Sequence, residues 1–415
     1  MPAHATPDPS STALAFGQRM QILRTKRGLS RPVLAGLVGR SPSWVKQVEG
    51  GQIQTPALPI ILRIAEVLRV RDLADLLGDQ TPHQALFIGP GHARLPAVRE
   101  AMNSLALSAG QAPPISHLHA RIARAWAARH SAPNHRDVLG SLLPALIRDG
   151  RLAVRQADTA ADRRTAQAAL AEVYFLAQFF LSYQPDSALV WRVSERGMVA
   201  AQESEDPHSI GVAAWLAAQA HRDSGGAHLD AADTIVREAL EYLSPRLDTA
   251  DDRTRAISGA LQFEAGYTAA RRGEAGAAWG WWDQANRTAA ALTPTYFHPV
   301  TSFSRAIMGA HAVTVAVELR SGHESVRQAA AADAAPIPSR PRLARHRIEE
   351  ARAYQLDGQA DTALATLEKA HRAAPETIRW SGYARRIILE EAESKSPARR
   401  RRAAGLAHEL GLLAA

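Results

Sequence analysis

A chain of 415 residues with no cysteine and a formal charge of +8 is long enough for two or more cores. It excludes a disulfide framework, a cysteine-ligated zinc and a thiol nucleophile. Arginine supplies 45 of the 49 basic residues, a balance that suits a polyanionic partner, although arginine with abundant alanine also reflects a GC-rich genome. Between Phe16 and Gly78 the basic residues exceed the acidic ones by six, so most of the excess sits in one short stretch.

Met1 to Ser11 is polar and proline-rich, unlike a signal peptide, and no run of about 18 apolar residues exists, so we expect a cytoplasmic protein with no membrane contact and a disordered tail over residues 1–13. Phe16, Met20 and Leu23 share one face of a first helix that reaches Arg27. Ser30 is placed to cap a second helix, in which Val33, Leu34, Leu37 and Val38 repeat at helical spacing and Ala35 permits close packing. Gly39 can stop it in the left-handed conformation. Ser41 and Pro42 then start a third helix, with Val45 and Val48 inward and Ser43, Trp44, Lys46 and Gln47 outward. Leu58, Ile61, Leu62, Ala65 and Leu68 pattern a fourth helix, and Leu73, Leu76 and Leu77 a fifth.

These residues resemble the XRE-type, phage-repressor-like helix-turn-helix family, whose pattern runs Gly-Leu-Ser, Leu-Ala, Gly, Ser and then Ile/Val-Glu. Arg40 stands where that family usually has an apolar residue, and the loop from Glu49 to Pro56 is one residue longer. The resemblance implies a five-helix domain over residues 14–78 that sets its third helix into the major groove of double-stranded DNA. Ser43, Trp44 and Gln47 would face base edges, Gln47 being able to pair with adenine in bidentate fashion. Arg31, Arg40 and Lys46 would meet phosphates, and Ser41 at the helix start completes the DNA-contacting set. One such domain buries little area, so a homodimer on a palindrome-like site is expected.

Prolines and glycines interrupt residues 79–114, read as a linker with one helix near Ala97 to Leu107. From 115 to 415 the chain is Ala/Leu/Arg-rich and helical in period, with almost no strand signal. Around Gly358, the residues Ala351, Tyr354, Ala363, Leu367, Ala370 and Pro375 fall at the small, aromatic and proline positions of a tetratricopeptide (TPR) repeat. Gly266, Ala278, Trp282 and Ala285 repeat that spacing around Gly273, and a looser version surrounds Gly226. The chain thus resembles TPR proteins there, which implies an all-α protein: an XRE-type domain followed by a TPR-like solenoid of five or six helix pairs, near 165–202, 208–243, 253–290, 303–332, 341–374 and 376–410.

In such a solenoid the first helices line a concave binding face. Projecting the repeats places Phe263, Tyr267, Arg345, Ile348, Arg352 and Gln355 on it, with His221 from the looser repeat. Aromatic and arginine side chains together suit a peptide or an anionic small molecule as effector. The pairing of the two domains resembles actinobacterial regulators and the peptide-sensing regulators of other bacteria. An adaptor that binds a protein partner through the solenoid is the alternative.

The other features have plainer readings. Trp282 sits at a repeat's core position, so Trp279, Trp281 and Trp282 read as core packing rather than a cofactor box, and the run Arg399 to Arg402 reads as a solvated face or cap rather than a phosphate or RNA contact. His130 and His135 flank a Pro-Asn turn without a nearby carboxylate, so no metal site is expected. No phosphate loop, nucleophile elbow or zinc-protease helix occurs, and neither catalysis nor a cofactor is expected.

Overall fold

A computed structural model describes residues 16–53, 56, 58–70, 76, 91–104, 110–332 and 337–412. They are helical with no strand among them. The chain divides into two compact units, which separate after Phe87. The tail expected over residues 1–13, Leu73 and Leu77 lie outside the described residues.

In the N-terminal unit, α1 (Phe16–Lys26), α2 (Arg31–Val38), α3 (Pro42–Glu49) and α4 (Leu58–Val67) enclose Met20, Leu34, Val45, Ile64, Leu68 and Leu76. Each helix supplies apolar side chains at three- or four-residue spacing, the condition for an amphipathic helix to bury one face. Val33 and Leu37 differ from expectation: they are 48% and 50% exposed. Four apolar positions at 33, 34, 37 and 38 span two adjacent faces of α2, and only the face of Leu34, Ala35 and Val38 turns inward.

The C-terminal unit begins, among the described residues, within the stretch expected as a linker. There α5 (Leu95–Asn103) buries Leu95, Val98 and Met102 in the unit's core. These residues fall on one helical face, a pattern that the surrounding prolines mask in the sequence. Helices then alternate in antiparallel pairs: α6 (Ile115–Ser131) with α7 (His135–Arg155), α8 (Ala160–Leu181) with α9 (Ser187–Ser204), and α10 (Pro207–Asp223) with α11 (Leu229–Leu243). Next come α12 (Asp252–Arg272) with α13 (Ala275–Ala291), α14 (Met308–Glu318) with α15 (Gly322–Ala332), and α16 (Arg340–Leu356) with α17 (Ala360–Ala373). The short α18 (Pro375–Arg379) leads into a last pair, α19 (Gly382–Ala392) and α20 (Pro397–Glu409).

The first helix of each pair packs on the first helix of the next, from α8 through α10, α12, α14 and α16 to α19, which is the layout of a TPR-like solenoid. Gly273 and Gly358 take positive φ, +83° and +79°, at the turn between the two helices of their pairs. Ala278, Ala285, Ala351, Ala363, Leu367 and Ala370 are enclosed, as small and large residues at a helix–helix contact must be. The pair α6/α7 extends the array toward the N-terminus without a repeat signature. Trp282 packs partly buried and donates its indole N–H to Met308 O at 3.1 Å. Arg399 and Arg402 are engaged by Asp361, Glu391 and Glu368, in keeping with a solvated, ion-paired face.

The array returns on itself within this unit. At the end of α6, His130 Nδ1 meets Ser339 Oγ at 2.8 Å and its Nε2 meets Pro299 O at 2.7 Å. Glu376 of α18 caps α7 by accepting the N–H groups of Arg136 (2.6 Å) and Asp137 (3.3 Å). A carboxylate on free first-turn amides is stabilised by hydrogen bonding and by the helix dipole.

A buried pair of imidazoles, His208 and His298, sits 2.8 Å apart, Nε2 to Nε2. His298 Nδ1 accepts the Thr301 N–H, so its Nε2 carries the proton and donates to His208. Both rings are therefore neutral. Burial, then the charge of Arg253, pushes His208 down to about 3; burial, then His208, holds His298 far below the ordinary value. In the unfolded chain both titrate near 6.5, so their contribution to stability is complete above that pH and is lost as pH falls toward 3. Each such histidine should cost up to about 1.4 kcal/mol per pH unit below 6.5. Melting followed by circular dichroism from pH 8 to 4 should show this slope, and His208→Gln should flatten it.

Candidate nucleic-acid interface

The turn between α2 and α3 is built by two serine caps and one glycine. Ser30 Oγ accepts the Val33 N–H at 3.4 Å and Ser41 Oγ accepts the Trp44 N–H at 3.1 Å, so both helices start on serine caps followed by proline in the first turn. Gly39 ends α2 at φ +68°, its N–H bonding to Gly36 O while the Arg40 N–H reaches Ala35 O. This Schellman arrangement needs a left-handed residue, which glycine adopts without strain.

The angle of α3 is held from its far end by Glu49. The carboxylate is buried, with 1% of its side chain exposed, and takes Arg24 Nε at 2.5 Å, Arg24 Nη2 at 3.2 Å and Arg31 Nε at 2.7 Å. Arg24 also donates to Leu29 O at 2.7 Å. One carboxylate thus ties α1, the start of α2 and the end of α3. Burial alone would raise the Glu49 carboxyl, but hydrogen bonds from Arg24 and Arg31, with their charges, outweigh it and hold it below its usual range. Beside it, α1 crosses α3 so closely that a Cβ on Gly17 would lie 2.0 Å from Val48 O.

With this frame set, Val45 and Val48 point into the core and Ser43, Lys46 and Gln47 stand exposed, making no side-chain hydrogen bond or ion pair with other described residues. A family model described as a helix-turn-helix domain matches residues 15–77. The N-terminal unit is a helix-turn-helix domain. No curated protein matches the chain. A crystal structure of Bacillus thuringiensis PlcR in complex with the peptide PapR7 and DNA is similar over 96% of this chain and 95% of that one, at 10% identity and a TM-score of 0.20. A likeness at that score is too weak to define the architecture, which rests on the chain's own helix packing.

The helix-turn-helix domain places the expected DNA-contacting residues in two groups. Arg40, Ser41, Ser43, Lys46 and Gln47 are exposed at the turn and along the outer face of α3. Trp44 is half-buried against the domain's core with the Arg40 guanidinium 5.6 Å from its ring, and Arg31 is engaged by Glu49. Glu49 was visible in the family pattern, but its partner Arg24 lies 25 residues away and no local signal joins them.

The residues projected onto the concave face of the C-terminal unit meet a different fate. Ile348 is fully enclosed in the core of the last repeats, because its position on α16 faces α17 and α19 rather than the open side. Phe263 is buried against the His311 ring, 3.5 Å between centroids. Gln355 donates to Glu390. His221 is separate from the rest, packed in an aromatic cluster with Trp191 and His228.

Tyr267, Arg345 and Arg352 do come together, in an interior network that closes on itself. Arg352 bridges Glu318 (2.8 Å) and Glu349 (2.6 Å) and lies over the Tyr383 ring; Arg345 pairs with Glu349 at 3.1 Å; Arg222 pairs with Glu264 at 2.9 Å and lies over Tyr267 at 4.0 Å. Burial raises Glu264 to about 7 against the opposing pull of Arg222. The projection misses Arg222, Glu264, Glu318 and Glu349. Glu349 lies between Arg345 and Arg352 on one stripe of α16, so helical spacing alone places it there.

Replacing Glu49 by Gln should cost the helix-turn-helix domain about 3 kcal/mol, because two guanidinium groups lose their buried counter-charge. Hydrogen exchange of the α3 amides in the full chain should accelerate by about a hundredfold or more, and Gly17→Ala should move the same amides in the same direction.

Proposed function

We propose that the chain is a sequence-specific, DNA-binding transcriptional regulator of XRE type that works as a homodimer, and that its helical C-terminal unit receives an effector, a peptide or a small molecule. The observation that carries the DNA half is the open polar face of α3, on a helix fixed at both ends by a serine cap and an internal ion pair. A helix so held can enter a major groove without rearrangement, and its first turns carry the side chains that read base edges. Gln47 is the base-reading residue in this account. Lys46 and Arg40 position the domain on phosphates, and Ser41 and Ser43 approach the groove at the helix start.

Two such domains are needed for tight binding, which makes a two-fold operator with half-sites one helical turn apart the expected target. For the C-terminal unit, support comes from its solenoid layout, whose first-helix face carries charged and aromatic side chains. We assign no catalytic role to any residue.

Gel shifts on sites selected from random duplexes test the DNA half. Gln47→Ala should lose about 1–3 kcal/mol at the selected site and relax specificity at one base pair; Lys46→Ala should weaken all sequences alike and reduce the salt slope by about one.

A further inference from the structure

Two partly buried arginines of the C-terminal unit, Arg129 and Arg342, make no ion pair with a carboxylate among the described residues. Arg129 is on the last turn of α6 and Arg342 on the first turn of α16, and these turns are joined. His130, next to Arg129, contacts Ser339 Oγ at 2.8 Å, and Ser339 caps α16 by accepting the Arg342 N–H at 3.4 Å.

Arg129 Nη1 and Arg342 Nε are sealed from solvent without a hydrogen-bond partner, and neither guanidinium pairs with a carboxylate among the described residues. Glu349, the carboxylate whose charge acts on Arg342, is already shared by Arg345 and Arg352. Arg136 is spent on the carbonyls that end α8, donating to Phe179 O, Phe180 O and Ser182 O. Burial, then the charges of Arg136 and Arg342, brings Arg129 down to about 9; burial, then Arg345, brings Arg342 to about 10. The N-terminus of α16 adds potential of the same sign.

Aromatic rings line the Arg129 side of this junction. The Arg129 guanidinium lies 3.9 Å from the Phe179 ring centre, Trp126 packs edge-on to Phe179 at 5.9 Å, and Phe297 packs edge-on to His130 at 5.5 Å. A guanidinium stacked on a ring keeps its planar fork oriented for a bidentate acceptor.

We propose that Arg129 and Arg342 hold the anionic head, carboxylate or phosphate, of a small organic effector whose apolar body lies against Trp126, Phe179 and Phe297. This inference rests on the reading of the C-terminal unit as an effector-binding one, and it moves the anchor away from the charge-paired network of Tyr267, Arg345 and Arg352. A guanidinium N–H sealed from water without an acceptor is costly, and an anion that accepts from it turns that cost into binding.

The test is a thermal-shift titration of the full chain at constant ionic strength with phenylacetate, phenyl phosphate and the uncharged phenylacetamide. The expected result is a saturable rise in Tm with at least one of the two anions and none with the amide; the better of the two anions identifies the headgroup. Arg129→Met and Arg342→Met should melt at or above the wild-type temperature without ligand and bind the anion at least tenfold more weakly. Should a methionine variant fail to fold, Arg129→Lys and Arg342→Lys keep the charge, lose the fork and should show the same weakening. The proposal is overturned by no saturable response to either anion, by an equal response to phenylacetamide, or by variants that respond like wild type. Because the readout does not involve DNA, a chain that fails to recognise an operator but binds the anion separates the two claims.

Discussion

The buried Glu49 carboxylate, shared between Arg24 and Arg31, is the constraint on which the DNA-facing geometry depends. A helix of eight residues has little stability of its own, and α3 is anchored by two valines and a serine cap in addition to this ion pair. The cap fixes where α3 begins. The carboxylate fixes where its other end points, because it is tied to α1 and to the first residue of α2. Arg31 is therefore a strut between the start of α2 and the end of α3.

The C-terminal unit handles charge in two ways. Along α10, α12, α14 and α16, arginines face carboxylates and tyrosines, so each of these charges has an opposite charge beside it within the unit. A closed network of that kind fixes the register of neighbouring repeats more than it raises stability, since desolvation offsets much of the Coulomb gain. Where α6 returns to α16 the balance differs, and positive charge is left over beside aromatic rings. The contrast between arginines paired with carboxylates and arginines without them, in one unit, is what the proposed anion site rests on.

Much of the fold is legible in the sequence because its signals are local. Serine caps, Gly39, and the alanines and glycines around Gly273 and Gly358 each act over a few residues, and they place the helix-turn-helix and the helix pairs. What is not legible comes from long separations: Glu49 with Arg24, Glu376 with the start of α7, and His130 with Ser339 are joined only by tertiary packing. The concave-face projection fails at Ile348 and Phe263 for a related reason. Helical spacing gives a face but not which neighbours cover it, and the first-helix face of this array is largely filled by its own side chains. Val33 and Leu37 show the converse, apolar residues whose periodicity fits burial yet which remain open.

The outer face of α3 links these parts to a function, since it is the surface that the whole N-terminal scaffold holds in place. The most direct measurement is methylation interference by the full chain on a duplex site enriched from random sequence. The account predicts interference at major-groove purine positions in two patches about one helical turn apart, with the pattern abolished when Ser43, Lys46 and Gln47 are all changed to Ala. Interference confined to the minor groove, or a pattern unchanged in that triple variant, would contradict it.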